Sequence, residues 1–338
     1  MALAPVRCHL SRSGLLEQAD DSVEVSRQTD SPFAVRHCRR LASLPINRQQ
    51  FLLALAGATA AAARTPVAGE APKILLVLAH PDDEYAFAAT VYRLARELGS
   101  RVDHVVITDG EGGYHYSALA EVVYGVPLTN PDSARRHLPE IRRQETLAAG
   151  HILGIRHNYF LNQKDEGFTL DSDKTITKMW DSPRVVRYLT ALIAREHYDF
   201  VFTMLPTQET HGHHTAAALL TLDAVAALST ELRPVVLGAD PGEVANQSYS
   251  GPRVEQPLPL FTFDRRRSFG YRDSLNYQIV VNWVIAAHKS QGLFQADYNR
   301  HPLERFWLLA SGASRSLERT RELADRLNAT AAQVHTGA

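Results

Sequence analysis

Apolar residues occur in blocks whose period changes along the chain. Lys73-Ile74-Leu75-Leu76-Val77-Leu78 is a continuous apolar run after Pro72, the pattern of a strand buried on both faces of a parallel sheet. After a polar turn, Phe87, Val91, Leu94 and Leu98 share one face of a helix that Gly99 stops. Val102 to Thr108 then reads as a second strand, which makes a βαβ unit. Residues 110–138 are rich in Gly, Tyr and polar side chains and predict a long loop over a site. Pro139 opens a helix that runs to about Leu153, closed by Gly154, and Asn158 to Leu161 is a short strand. Ser182-Pro183 marks a helix start, with Val185, Leu189, Leu192 and Ile193 as its apolar face. Phe200 to Leu205 is another buried strand, and Thr215 to Leu228 an Ala/Leu-rich helix. Residues 240–275 read as irregular, followed by helices near Tyr277–Lys289 and Arg315–Leu327. The alternation of strand and helix predicts an α/β fold: a Rossmann-like, doubly wound, mainly parallel sheet with helices on both faces.

Composition divides the chain near residue 70. The first 70 residues hold eight Arg, no Lys, six acidic residues and both cysteines, Cys8 and Cys38. The remaining 268 carry 28 basic and 31 acidic groups, no cysteine and thirteen of the fifteen histidines. Residues 71–338 are therefore read as a single domain without disulfides or Cys-based metal sites. Residues 1–70 read as a disordered extension. Within it, residues 47–63 have a basic start, a 13-residue apolar run and small residues at Ala61 and Ala63, as in a bacterial export signal. Arg48-Gln49-Gln50-Phe51-Leu52 looks like a degenerate twin-arginine signal. Export to the periplasm or the exterior is expected if this segment acts as a signal, and a cytoplasmic location if it does not. No run reaches the ~18 apolar residues of a membrane-spanning helix. A formal charge of −1 excludes a broadly basic nucleic-acid binder.

Ligands of open parallel sheets bind beyond the carboxyl ends of the strands. Two polar clusters fall there: His80-Pro81-Asp82-Asp83-Glu84 after the first strand, and His211-Gly212-His213-His214 after the strand at 200–205. Each alone has a plainer reading, a packed histidine in one case and acids favouring a helix start in the other. Together they place three acids beside histidines at the ends of buried strands, an arrangement that repels itself unless a cation compensates. Imidazole and carboxylate suit Zn²⁺ or a similar divalent ion. Gly110-x-Gly112-Gly113 lacks the spacing of a dinucleotide fingerprint.

Leu78-Ala79-His80-Pro81-Asp82-Asp83-Glu84 resembles the AHPDDE signature of the PIG-L/LmbE-like deacetylases, zinc hydrolases acting on N-acetylglucosamine-type substrates. Thr108-Asp109-Gly110-Glu111-Gly112, Arg142-x-x-Glu145, Leu153-Gly154-Ile155, Asp165 and His288-Lys289-Ser290-Gln291 extend the likeness over roughly residues 72–310. The resemblance implies His80, Asp83 and His214 as zinc ligands and Asp82 as the general base toward metal-bound water. It implies His211 as the group that stabilises the oxyanion, in protonated form, or protonates the leaving amine. Arg142 and Asp165 match sugar-holding positions. A small N-acylated amino sugar or glycoconjugate is the implied substrate. The same chemistry on another N-acyl or amide compound, or a non-catalytic sugar- or metal-binding protein, are the alternatives.

The chain departs from the family's usual His-x-Asp-His by carrying His213 in the third place. His213 is thus either an alternative ligand or an assistant to His214. Arg142 has a second reading as a helix-surface partner of Glu145 at i, i+3. Glu84 is either a residue behind the site or a first-turn helix acid. His288 and Gln291 divide evenly between site roles and packing, and Tyr114, His115 and Tyr116 offer rings for stacking on a sugar.

Overall fold

The structure is a computed structural model that describes residues 24–27, 71–207, 209–240, 253, 255, 258–291 and 301–329. Its strands are β1 (Glu24–Arg27), β2 (Lys73–Leu78), β3 (Arg101–Thr108), β4 (His157–Gln163), β5 (Phe200–Met204), β6 (Val235–Asp240), β7 (Phe261–Asp264), β8 (Ser268–Phe269), β9 (Leu275–Asn276) and β10 (Leu303–Leu309). Eight form one sheet in the order β1-β4-β3-β2-β5-β6-β10-β7. The five strands from β4 to β6 run parallel. β10 is antiparallel to both β6 and β7, and β1 antiparallel to β4. β8 and β9 pair separately.

The apolar run at 73–78 becomes the central strand β2, and its alternation feeds two cores. Ile74, Leu76 and Leu78 belong to one face, Leu75, Val77 and Ala79 to the other. The main helices are α1 (Ala88–Tyr92), α2 (Pro131–Leu153), α3 (Ser182–Glu196), α4 (Gly212–Ala226), α5 (Gln278–Ala287) and α6 (Ser316–Asn328). Val91, Leu153, Val284 and Leu323 place α1, α2, α5 and α6 on the first core. Leu189 and Leu220 place α3 and α4 on the second. The doubly wound, mainly parallel architecture is therefore as the sequence pattern predicts.

Chain order explains where a ligand sits. From β2 the chain builds outward through β3 and β4, then crosses back to lay β5 against the opposite edge of β2. Connections leaving neighbours β2 and β5 diverge to opposite faces, opening a crevice at their carboxyl ends. Both polar clusters follow these two strands.

Several expectations are corrected. Residues 110–138 are largely helical: a 3₁₀ segment over Glu111–Ala120, a turn of α-helix at Glu121–Tyr124, then the start of α2. α2 begins at Pro131, not Pro139, because Asn130 caps it, accepting from the Asp132 and Ser133 amides at 3.1 Å each. Asn130→Ala is expected to cost about 1 kcal/mol, read by denaturant unfolding; an unchanged midpoint would contradict the cap. At α3 the cap is Asp181, one residue before Ser182. The sequence pattern did not foresee β6, β7 or β10, and β7, β8 and the first residue of β9 lie within the stretch read as irregular. Within residues 1–70, Glu24–Arg27 form an edge strand on β4. The export-like segment 47–63 lies outside the described residues, as do Cys8 and Cys38.

One buried ion pair ties the late strands to the site. Glu304 on β10 and Arg265 after β7 are both fully buried and 2.9 Å apart. The Glu304 carboxylate also accepts the Ala89 and Thr90 amides at 2.9 Å each, which secures the start of α1 just beyond the His80–Glu84 turn. Arg265 Nη2 donates to the Tyr85 carbonyl at 2.8 Å. Among the described residues, no helix is long and apolar enough to cross a membrane.

Candidate metal centre

The turn after β2 folds onto itself. Asp83 Oδ2 accepts the backbone amides of Ala79 at 3.0 Å and His80 at 2.9 Å, and the Thr108 hydroxyl and amide both bond the Ala79 carbonyl. Asp83 is thereby held with Oδ1 3.1 Å from His214 Nε2. His214 comes from the first turn of α4. There His211 is the cap, its Nδ1 accepting the His213 amide at 3.0 Å. The loop at 169–172 packs against Gly212, where a Cβ would stand 3.0 Å from the Asp171 and Ser172 backbone. Any larger residue at 212 would press on that backbone.

His80 Nδ1 lies 3.1 Å from His214 Nε2 and 3.6 Å from Asp83 Oδ2. Donor atoms bound to one tetrahedral Zn²⁺ at ~2.0–2.2 Å stand roughly 3.3 Å from one another. His80, Asp83 and His214 therefore match the spacing of a three-ligand site. A second grouping, His80 with His211 and His213, also meets the distance requirement. In it His80 Nε2 lies 3.0 Å from His213 Nδ1, and it has no carboxylate to neutralise a cation.

The electrostatics favour positive charge at the first group. Burial alone would lower the pKa of His80, but Asp83, Asp165 and Asp82 together hold it up at about 9. Burial pushes against Asp83 as well, yet His214 and His80 keep its carboxyl well below the usual carboxylate range. Asp82 is raised to about 7 by burial and by neighbouring Asp83. Burial and His80 hold His211 down at about 2, and His213 at about 3. The carboxylates around His80 thus favour positive charge where His80, Asp83 and His214 meet, and imidazole with carboxylate is a donor set that suits a divalent cation.

Asp82 has φ 147° and makes no side-chain bond to the helix that follows. Its carboxylate lines a cavity of about 390 Å³ together with His80, Asp83, His211 and His214, within the ~300–1,000 Å³ of small-molecule sites. The reading of these acids as a helix cap does not describe Asp82. Positive φ at a non-glycine residue costs about 1–3 kcal/mol and concentrates at functional sites.

Arg142 and Asp165 both reach the cavity wall. Arg142 is 1% exposed, and its guanidinium is engaged by the Gly110 and Gly113 carbonyls and by Ser117 and Ser290. It braces the wall of the cavity. Its partnership with Glu145 runs through Ser290, whose hydroxyl donates to Glu145 Oε2 at 2.6 Å. Asp165 Oδ1 accepts the Gly167 amide at 2.9 Å. A Cβ on Gly112 would strike Asp165 Oδ1 at 2.5 Å, so the two loops need glycine to meet. Glu84 is fully buried against His288, Oε1 to Nε2 2.5 Å. Gln291, His115 and Tyr116 line the cavity, whereas Tyr114 packs on the small core of Ala120, Leu128, Ala134 and Leu138.

Three features were not foreseen: the contact of His213 with His80, the role of Ser290, and Phe168. Phe168 is 74% exposed on the cavity rim, its ring edge-on to His211 with centroids 5.0 Å apart. The signal for Ser290 lies in the two motifs Arg142-x-x-Glu145 and His288-Lys289-Ser290-Gln291, which it joins. Phe168 stands in no pattern that marks it.

Residues 75–225 match the PIG-L family model, described as GlcNAc-PI de-N-acetylase. The chain is 28% identical over 163 residues to "Probable N-acetyl-alpha-D-glucosaminyl L-malate deacetylase 2" of Bacillus cereus, a match covering 48% of this chain. It spans 65% of that relative's length, just under two thirds. Among solved structures, N,N'-diacetylchitobiose deacetylase from Pyrococcus horikoshii superimposes with TM-score 0.50 at 19% identity, over 80% of this chain and 95% of that one. The 4-carboxy-2-hydroxymuconate hydratase GalB from Pseudomonas putida follows with TM-score 0.46 at 16% identity, over 70% of this chain and 95% of that one. The likeness to the chitobiose deacetylase agrees with the α/β fold described above.

Proposed function

We propose that this chain, whose residues 75–225 carry a PIG-L family domain, is a divalent-metal-dependent hydrolase. It removes an acetyl or other small acyl group from the nitrogen of an amino sugar or glycoconjugate. The observation that carries this reading is the convergence of His80, Asp83 and His214 beside the Asp82 carboxylate, in a cavity at the carboxyl ends of β2 and β5. The names of the Bacillus cereus relative and of the Pyrococcus horikoshii deacetylase support the substrate class. Zinc is the expected ion, since two imidazoles and one carboxylate form a common catalytic donor set for it.

His80, Asp83 and His214 would hold a divalent cation there, which would supply acidified water and a polarised amide carbonyl. The protein's own groups do the rest. Asp82, next to a ligand but not itself one, takes a proton from the attacking water as oxygen bonds to the carbonyl carbon. His211 contributes as a neutral donor: its Nδ1 is occupied by the His213 amide, so its proton sits on Nε2, facing the developing oxyanion. The C–N bond then breaks, the proton held by Asp82 goes to the leaving nitrogen, and acetate and free amine depart. Arg142 holds the cavity wall through Gly110 and Gly113.

Acetate release from a panel of N-acetylated sugars and non-sugar amides tests the reading. Turnover of at least one N-acetyl amino sugar is expected, abolished by a chelator and restored by Zn²⁺. Turnover confined to non-sugar amides would contradict the substrate class. Metal-independent turnover would contradict the mechanism.

A further inference from the structure

We infer that His213 is a positioning residue for the metal centre: its Nδ1 accepts the proton of His80 Nε2, which leaves His80 Nδ1 as a lone pair directed at the cation. The inference rests on the proposed function above. It assigns to His213 a task distinct from that of an alternative ligand: it acts on His80 rather than on the cation.

His213 is fully buried in the first turn of α4. Two groups compete for its Nδ1. His80 Nε2 is 3.0 Å away, and Asp165 Oδ1 is 3.7 Å away. The first distance is that of a hydrogen bond and the second lies beyond it. The imidazoles of His80 and His213 are tilted 34° with centroids 5.2 Å apart, so the contact runs along ring edges.

The direction of the proton follows from the opposite side of the His80 ring. Nδ1 faces His214 Nε2 at 3.1 Å and Asp83 Oδ2 at 3.6 Å. A proton on Nδ1 would leave no electron pair for a cation in that group. With Nδ1 bare, the proton of neutral His80 sits on Nε2 and needs an acceptor, and His213 Nδ1 is the one in reach. Ligand histidines are generally oriented by such a bond from their second nitrogen. His213 then carries its own proton on Nε2, which is buried and has no hydrogen-bond partner among the described residues. Trp180 packs against that ring with centroids 5.2 Å apart. With Nδ1 accepting and Nε2 protonated, His213 has no lone pair left for a cation, which excludes it from the alternative grouping with His211.

Zn²⁺ affinity of the apo chain, measured by competition with a chromophoric chelator, tests this together with the visible spectrum of the Co²⁺ form. His213→Asn puts an amide oxygen near the place of Nδ1 and is expected to keep both affinity and spectrum near wild type. His213→Leu fills the space without an acceptor and is expected to weaken Zn²⁺ binding by about 10–100-fold. Should the leucine variant fail to fold, His213→Gln, whose polar end reaches toward the place of Nε2 instead, is expected to lose affinity similarly. Wild-type affinity in the leucine or glutamine variant would overturn the inference alone. Equal loss in the asparagine and leucine variants, with metal stoichiometry falling to zero, would make His213 a ligand and overturn it too. Failure of the wild-type chain to bind Zn²⁺ would bring down the proposed function as well.

Discussion

Asp82→Asn is expected to keep its metal and lose hydrolysis, with kcat for acetate release lower by about 10²–10⁴-fold. Asparagine matches aspartate in size and tolerates positive φ comparably, so the backbone at φ 147° is preserved. The substitution removes the one carboxylate in the turn that lines the cavity without belonging to the metal-binding group. Asp83, whose oxygens are shared between two backbone amides and His214, is untouched. Loss of activity with about one Zn²⁺ per chain separates a proton-transfer role from a ligand role. Undiminished turnover would remove Asp82 as the base, and loss of metal would move it into the ligand set.

The complementary pair, Asp83→Asn and His214→Ala, is expected to abolish both metal binding and activity. Asparagine at 83 retains an oxygen for the Ala79 and His80 amides but removes the negative charge that offsets the cation. Alanine at 214 removes one of the two imidazole donors. Zinc content should fall from about one per chain to near none. A ligand at 1,000 times its Kd stabilises a fold by about 4 kcal/mol, so added Zn²⁺ should raise the wild-type melting temperature and leave both variants unmoved. A zinc-induced shift in either variant as large as in wild type would contradict the assignment.

Much of this arrangement could be read from the sequence because its causes are local. A buried parallel strand is a short unbroken apolar run, as at 73–78, and residues at its carboxyl end lie where such sheets bind ligands. His80, Asp82 and Asp83 inherit their places from that strand, and His211 and His214 from β5. What could not be read depends on contacts distant in the chain. Glu304 and Arg305 give β10 a charged start that hides the strand, since nothing near them reveals that Arg265 and two amides of α1 enclose Glu304. Arg142 has the donors of a sugar-binding residue, and only the folded loop shows the Gly110 and Gly113 carbonyls engaging two of them. Pro139 imitates a helix start because proline is favoured there, while the capping bonds of Asn130 fix the real one. Adjacent His213 and His214 are alike in sequence. About 100° of helical rotation between them sends one to the buried side of His80 and the other to the cavity.

Anomalous diffraction at the zinc edge, from crystals of the Zn²⁺-loaded chain, tests the central claim most directly. A single peak within about 2.0–2.2 Å of His80 Nδ1, an Asp83 carboxylate oxygen and His214 Nε2 is the expected result. A peak held instead by His80 Nε2, His211 and His213, or no peak in the cavity, would contradict it.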